Sequence, residues 1–313
     1  MQVPTKGDGG VKINSGEIIK KIRIDIGISQ EEMADRLFIS PRKLSRIEAE
    51  DAKIDIWQLM SMLELLGYPS EDFWVLYLDS DEFSGYRLYK RLKRQLRNDE
   101  FDDARATMDK LSQNALAKQS FVGQFLALVE VILDNDITHD VAIERCEEII
   151  KMSIPNFDET KISEYRLTYN EIYTITELST RLSKIGQKDR AIAITEAVIE
   201  SRENSRTSEE DRAKLFPALL FNLSNYLGQS GKIKEALKVC SRAIEVCREY
   251  NNLKFVPEIL FNMAYSYHAL GEQEQVYKIQ LVRAYHCAYA MGENETAKLI
   301  KKYAEEDFGI SEL

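Results

Sequence analysis

The residues best equipped for covalent or metal chemistry are few and poorly spaced for it. There are four cysteines, Cys146, Cys240, Cys247 and Cys287, and three histidines, His139, His268 and His286. No CxxC pair occurs, and no histidine stands at a ligand-like interval from a cysteine. P-loop, GxGxxG and GxSxG runs are missing as well. Cys240 and Cys247 lie seven apart, two turns along one helix face, which predicts small core residues rather than a redox pair. No metal, no cofactor and no enzymatic activity are expected.

A different chemistry is concentrated between residues 40 and 46. Ser40, Arg42, Lys43, Ser45 and Arg46 are all donors suited to phosphate oxygens or guanine edges. The first acids, Glu48 and Glu50, follow this stretch. Short helices must position these donors. Ser40 caps one with Pro41 at its first position, and Leu44 and Ile47 supply its buried side. Before it, Ser29-Gln-Glu-Glu reads as a capping box opening a helix that turns Met33, Ala34 and Leu37 inward. Phe38 and Ile39 form the turn between the two. An earlier helix, capped by Ser15, carries Ile18, Ile19, Ile22 and Ile26 and stops at Gly27. A later one runs through Ile56, Leu59, Met60, Leu63 and Leu66 to Gly67. A last apolar run, Phe73 to Leu76, closes this core. Residues 1–13 are polar, Gly-rich and aperiodic, and read as a disordered arm.

Two helices joined by a short turn, the second presenting cations, are the layout of a helix-turn-helix head. The stretch EIIKKIRIDIGISQEEMADRLFISPRKLSRIEAE resembles the Cro/repressor-type, or xenobiotic-response-element-type, DNA-binding domain. The resemblance implies that Gln30 and Ser40 hold phosphates, while Arg42, Lys43, Ser45 and Arg46 face the groove. It also implies a structural ion pair between Arg23 and Glu48.

Beyond residue 80 the pattern is helix after helix, broken at Gly186, Gly231, Gly271 and Gly292. Phe216-Pro217-Ala-Leu-Leu-Phe-Asn222-Leu returns as Val256-Pro257-Glu-Ile-Leu-Phe-Asn262-Met. Pro217/Pro257, Asn222/Asn262, Gly231/Gly271 and Ala236/Val276 each stand 40 residues apart. Four coincidences in one register predict a repeated helical hairpin. The unit resembles a tetratricopeptide repeat (TPR), with Ser224, Gly231, Ala236 and Ala243 at positions of close approach. Looser copies place Ala104, Ala142 and Ala191 at the Ala236 position. About five hairpins and a terminal helix, 293–306, are expected.

The predicted architecture is all-α. A helix-turn-helix domain at 14–80 precedes a right-handed TPR-like helical-hairpin solenoid at 81–313. Stacked hairpins present a concave face lined by their first helices. Asn222, Asn225, Asn262 and Tyr265 fall where they can look inward, with Tyr173 and Thr176 as equivalents one repeat earlier. Asn is a poor helix former, so placing it twice in register calls for a reason. One reason is that its amide bonds the backbone of an extended peptide. The other is that it bonds the neighbouring helix. Residues 86–97 (YRLYKRLKRQLR) carry six cations and no acid, with Leu88, Leu92 and Leu96 as the expected core stripe.

A repressor-type head on degenerate repeats resembles the Rgg/NprR/PlcR/PrgX group of quorum-sensing regulators, the RRNPP proteins. Phe221-Asn222 stands where PlcR-like members carry a Tyr-Asn whose amide clamps a signalling peptide. The resemblance implies a cytoplasmic homodimer that binds a two-half-site or palindromic double-stranded DNA operator and a short imported oligopeptide. Two alternatives remain: a regulator of the same build answering to a protein partner, and a Rap-like interaction protein.

Composition is compatible with this. The 313 residues carry 42 basic and 52 acidic side chains, a net charge of −10. That sum does not exclude DNA, because affinity for phosphate follows local charge. At roughly 150 residues per domain the length suggests two units. No apolar run approaches the ~20 residues of a membrane span, and no signal segment opens the chain, so no membrane partner is expected.

Overall fold

The computed structural model describes residues 15–49, 52, 56–66, 80–98, 100–118, 120–205 and 208–313. All regular structure among these is helical. Two compact units form, one from the described residues up to 123 apart from the 67–69 stretch, the other from 124 onward.

The N-terminal unit starts with α1 (Ser15–Asp25), α2 (Gln30–Arg36), α3 (Pro41–Glu48) and α4 (Ile56–Leu65). Gly27 ends the first helix in a left-handed turn, φ +76°. Ser29 caps α2 by accepting from the Glu32 backbone N–H at 3.0 Å. Of the expected capping box, this is the half that forms. Ser40 caps α3 and Pro41 sits in its first turn, as the spacing predicts. Met33, Ala34, Leu44 and Ile47 are buried between these helices, and each large one contributes on the order of 2 kcal/mol. Gly16 is required by a close approach: a Cβ there would lie 2.2 Å from the Ile47 carbonyl oxygen at the end of α3. The Phe73–Leu76 run, Gly67, the 1–13 arm and the side chains of Ser15, Ile18 and Ile22 lie outside what is described.

The compact N-terminal unit extends past residue 80. Helices α5 (Ser80–Arg97) and α6 (Phe101–Ser112), expected as the first repeat, group with the head. The reason is aromatic. Trp57 of α4 is fully buried, with Tyr89 edge-on to it at 5.0 Å and Tyr86 tilted against it at 6.2 Å. The buried stripe of α5 is therefore Tyr86, Tyr89, Leu92 and Gln95, while Leu88 and Leu96 are only half-buried. In the sequence the alternation of cations with tyrosines hides this stripe.

The C-terminal unit stacks helices in chain order. They are α7 (Ser120–Leu133), α8 (His139–Lys151), α9 (Tyr169–Lys184), α10 (Lys188–Asn204), α11 (Glu209–Gln229), α12 (Ile233–Glu249), α13 (Val256–Ala269), α14 (Glu274–Ala290) and α15 (Asn294–Phe308). Each helix from α8 onward packs on the next, and α11 also touches α9 and α13. First helices of successive hairpins therefore lie side by side. Ala142, Ala191 and Ala236 are completely buried at the matching close approaches, and Ala104 is so in the N-terminal unit. Gly231 and Gly271, 40 residues apart, take the same left-handed turn at φ +76° and +75°. Cys146, Cys240 and Cys247 are buried core thiols, the last two as their helical spacing predicts. No described helix is long and apolar enough to cross a membrane.

Candidate functional site

Helix α3 is divided by its own periodicity. Leu44, Ile47 and Glu48 turn inward; Arg42, Ser45 and Arg46 are exposed and Lys43 is half-exposed. A buried ion pair holds the helix to its neighbours. Arg23 of α1 grips Glu48 with two bonds, Nε to Oε1 at 2.6 Å and Nη2 to Oε2 at 3.0 Å. Its third nitrogen, Nη1, donates to the Ile28 carbonyl at 2.8 Å. Gln30, at the start of α2, donates Nε2 to the same carboxylate at 2.6 Å. One carboxylate thus ties all three helices at the point where α3 must be aimed. Gln30 is half-buried, and its second amide hydrogen and its oxygen are left for a further bond. The Ser40 hydroxyl accepts from the Lys43 backbone N–H at 3.2 Å and can still donate. The turn places Phe38 at φ +55°, a conformation that is uncommon for a bulky residue, in the link between the two helices.

Six further residues expected at the site lie on the first helices of the C-terminal unit. Asn222 and Asn225 are on α11, Asn262 and Tyr265 on α13, and Tyr173 and Thr176 on α9. All six are half-buried or exposed on helices whose other faces are core. Because α11 touches both α9 and α13, the three sets belong to neighbouring helices. Their bonding differs. Asn262 donates Nδ2 to the Ser224 hydroxyl of α11 at 3.1 Å, so part of its amide serves the neighbouring helix. Asn225 accepts from Gln229 at 3.0 Å. Thr176 donates back to the Ile172 carbonyl at 2.8 Å. Tyr173 stacks on Tyr169 at 6.1 Å, and Tyr265 lies edge-on to Phe261 and Phe308. Among the described residues nothing bonds the Asn222 amide, and it is half-buried.

Two features of this face were not read from the sequence. The Thr180 and Tyr226 hydroxyls meet at 2.9 Å, joining α9 to α11, and burial pushes the Tyr226 phenol up. Glu177 and Arg181 pair at 2.6 Å on α9. An i,i+4 charge pair is a visible signal for the second; the first joins residues 46 apart and has none. No group of His, Cys, Asp and Glu among the described residues has the arrangement of a metal site.

Residues 19–73 match the family model described as Helix-turn-helix. The N-terminal unit carries a helix-turn-helix domain. No curated protein matches the chain. Solved structures do. The chain is similar to PlcR of Bacillus thuringiensis, solved with the peptide PapR7 and DNA, at 15% identity and a TM-score of 0.60, covering 92% of this chain and 98% of that one. It is also similar to ComR of S. thermophilus, solved with DNA and its signalling peptide, at 16% identity and a TM-score of 0.55, covering 95% and 100%. The apo form of PlcR matches with a TM-score of 0.58 at 14% identity. The chain has the fold of PlcR and ComR: a helix-turn-helix unit followed by a helical-hairpin domain.

Proposed function

We propose that the chain is a cytoplasmic transcription regulator, not an enzyme, whose helical-hairpin domain binds a short signalling peptide and so changes how its heads engage DNA. The observation that carries the reading is the exposed set Arg42, Ser45 and Arg46 on a helix-turn-helix, within a fold shared with PlcR over 92% of the chain. Arg42, Lys43, Ser45 and Arg46 enter the groove, and Gln30 and Ser40 hold flanking phosphates. Two heads of a homodimer read half-sites about one helical turn, ~34 Å, apart.

On the other unit, Asn222 is the peptide clamp, with Asn225, Asn262, Tyr265, Tyr173 and Thr176 completing the surface. An unbonded, half-buried amide can donate to and accept from the backbone of an extended chain without breaking a bond of the protein. A ligand moves a two-state balance from 1:99 to 99:1 only with about 5.5 kcal/mol of differential affinity. Several amide-to-backbone hydrogen bonds plus apolar pockets supply that order of energy.

The test begins with genomic fragments selected by the full-length protein. The peptide encoded by a small reading frame beside the gene is then titrated against the resulting complex at stated salt. Peptide-dependent gain or loss of DNA binding is expected. Binding to DNA with indifference to that peptide favours control by a protein partner instead. DNA binding that survives Arg42→Ala with Arg46→Ala removes the groove assignment.

A further inference from the structure

We infer that α5 is a second phosphate-contacting surface of the N-terminal unit, with Arg91 and Arg94 touching the DNA backbone beside the segment read by α3. The inference rests on the proposal that the head binds duplex DNA. Four observations carry it. First, residues 86–97 hold six cations and no acid. Residues 1–123 as a whole carry 19 cations against 21 acids, so this run goes against the balance of its own unit.

Second, α5 is fixed to the head. Tyr86 and Tyr89 are 2% and 1% exposed and clasp Trp57 of α4, so the helix is placed by core packing within the unit that carries α3. A cation on it is held at a set position relative to the head rather than carried on a loose tether.

Third, four of the six cations sort into two groups. Lys90 and Lys93 lie over the Tyr86 and Tyr89 rings at 5.6 and 5.3 Å, which explains their presence without any ligand. Arg91 and Arg94 are exposed, and among the described residues no carboxylate or ring engages them. They share a helix face with the exposed Arg87, and the three span about 10 Å along the axis.

Fourth, the unengaged cations are arginines, whose planar fork suits bidentate bonding to phosphate. The occupant these features fit is the nucleic-acid backbone. The net −8 carried by residues 124–313 offers acids as a rival occupant, and the experiment separates the two.

Full-length protein is titrated against a fluorescent 40-base-pair duplex of random sequence over a series of salt concentrations. Arg91→Ala with Arg94→Ala is expected to reduce the slope of log affinity against log salt by about 2, and to weaken binding roughly ten- to hundredfold at 0.1 M salt. Arg91→Lys with Arg94→Lys is expected to keep the slope. If the alanine pair leaves slope and affinity unchanged while Arg42→Ala with Arg46→Ala weakens binding, the α5 surface is overturned and the head assignment stands. If the alanine pair binds more tightly, the arginines hold acids of the protein itself, and the inference is again overturned. If the unsubstituted protein binds no duplex, the head assignment and the inference fall together.

Discussion

Asn252 donates its side-chain amide to the Ala213 carbonyl at 2.7 Å, and Ala213 is the residue four positions before Pro217. Pro217 lies inside α11 and has no N–H to give that carbonyl. The loop after α12 therefore replaces a bond that the proline removes, and it also brings Phe255 onto Phe221 at 5.8 Å. Asn252→Ala is expected to cost about 1 kcal/mol, because a half-buried acceptor loses its partner. In the Pro217→Ala background the same change is expected to cost about 1 kcal/mol less, since the helix then supplies its own donor. Urea unfolding of the four proteins measures the coupling; strictly additive losses would refute the replacement.

The Arg23–Glu48 pair makes a second stability prediction, confined to the head. Both side chains are buried, and Glu48 receives Arg23 and Gln30 together. Glu48→Ala leaves a buried guanidinium without its carboxylate, a change worth about 3–5 kcal/mol. Proteolysis is expected to remove the head while the 124–313 unit persists, and DNA affinity is expected to fall with it. A variant that keeps full DNA affinity and protease resistance would show that α3 is aimed by packing alone.

How much of this was legible follows from the range of each signal. The caps at Ser29 and Ser40 and the stops at Gly27, Gly186, Gly231, Gly271 and Gly292 are local, and the structure has them where the spacing puts them; the Arg23–Glu48 pair is present as the family resemblance implies. The 40-residue register showed the hairpins because a repeat needs no long-range contact to be seen. The grouping of α5 with α4 was not legible because Trp57 and Tyr89 meet across a segment whose sequence gives no hint of their pairing. The Asn252–Ala213 bond was invisible for the same reason: its partners are 39 apart and one is a backbone carbonyl. The role of Gly16 has no local signal because it depends on the end of α3, not on its own helix.

The cysteines yield a prediction with a pH window. Burial pushes the Cys146 thiol up to about 12, and the Cys240 and Cys247 thiols up to about 11. A thiol whose folded value is raised favours the folded state until the unfolded chain begins to ionise. Stability from these groups is therefore complete below about pH 9 and is lost as pH climbs through about 11 to 12. Alkylation at pH 8 is expected to leave all three unmodified in the folded protein and to label them rapidly in urea, because the thiolate is the reactive form. Rapid labelling of Cys240 without denaturant would mean that α12 opens locally.

The two asparagines of the 40-residue register are expected to behave differently, although the sequence gives them equal standing. Asn262 spends one amide hydrogen on Ser224, fastening α13 to α11. Asn262→Ala should lower stability by about 1 kcal/mol, through loss of that bond. Asn222 has no such bond among the described residues. Asn222→Ala should leave the unfolding midpoint unchanged. If Asn222 is the clamp, its loss should weaken the peptide about tenfold or more, the equivalent of about 1.4 kcal/mol for hydrogen bonds that only the ligand completes. Paired measurements, urea midpoints for stability and calorimetric titration for peptide affinity, separate the roles. An Asn222→Ala protein that is destabilised yet binds peptide normally would reverse the assignment and make Asn222 another helix-to-helix fastener.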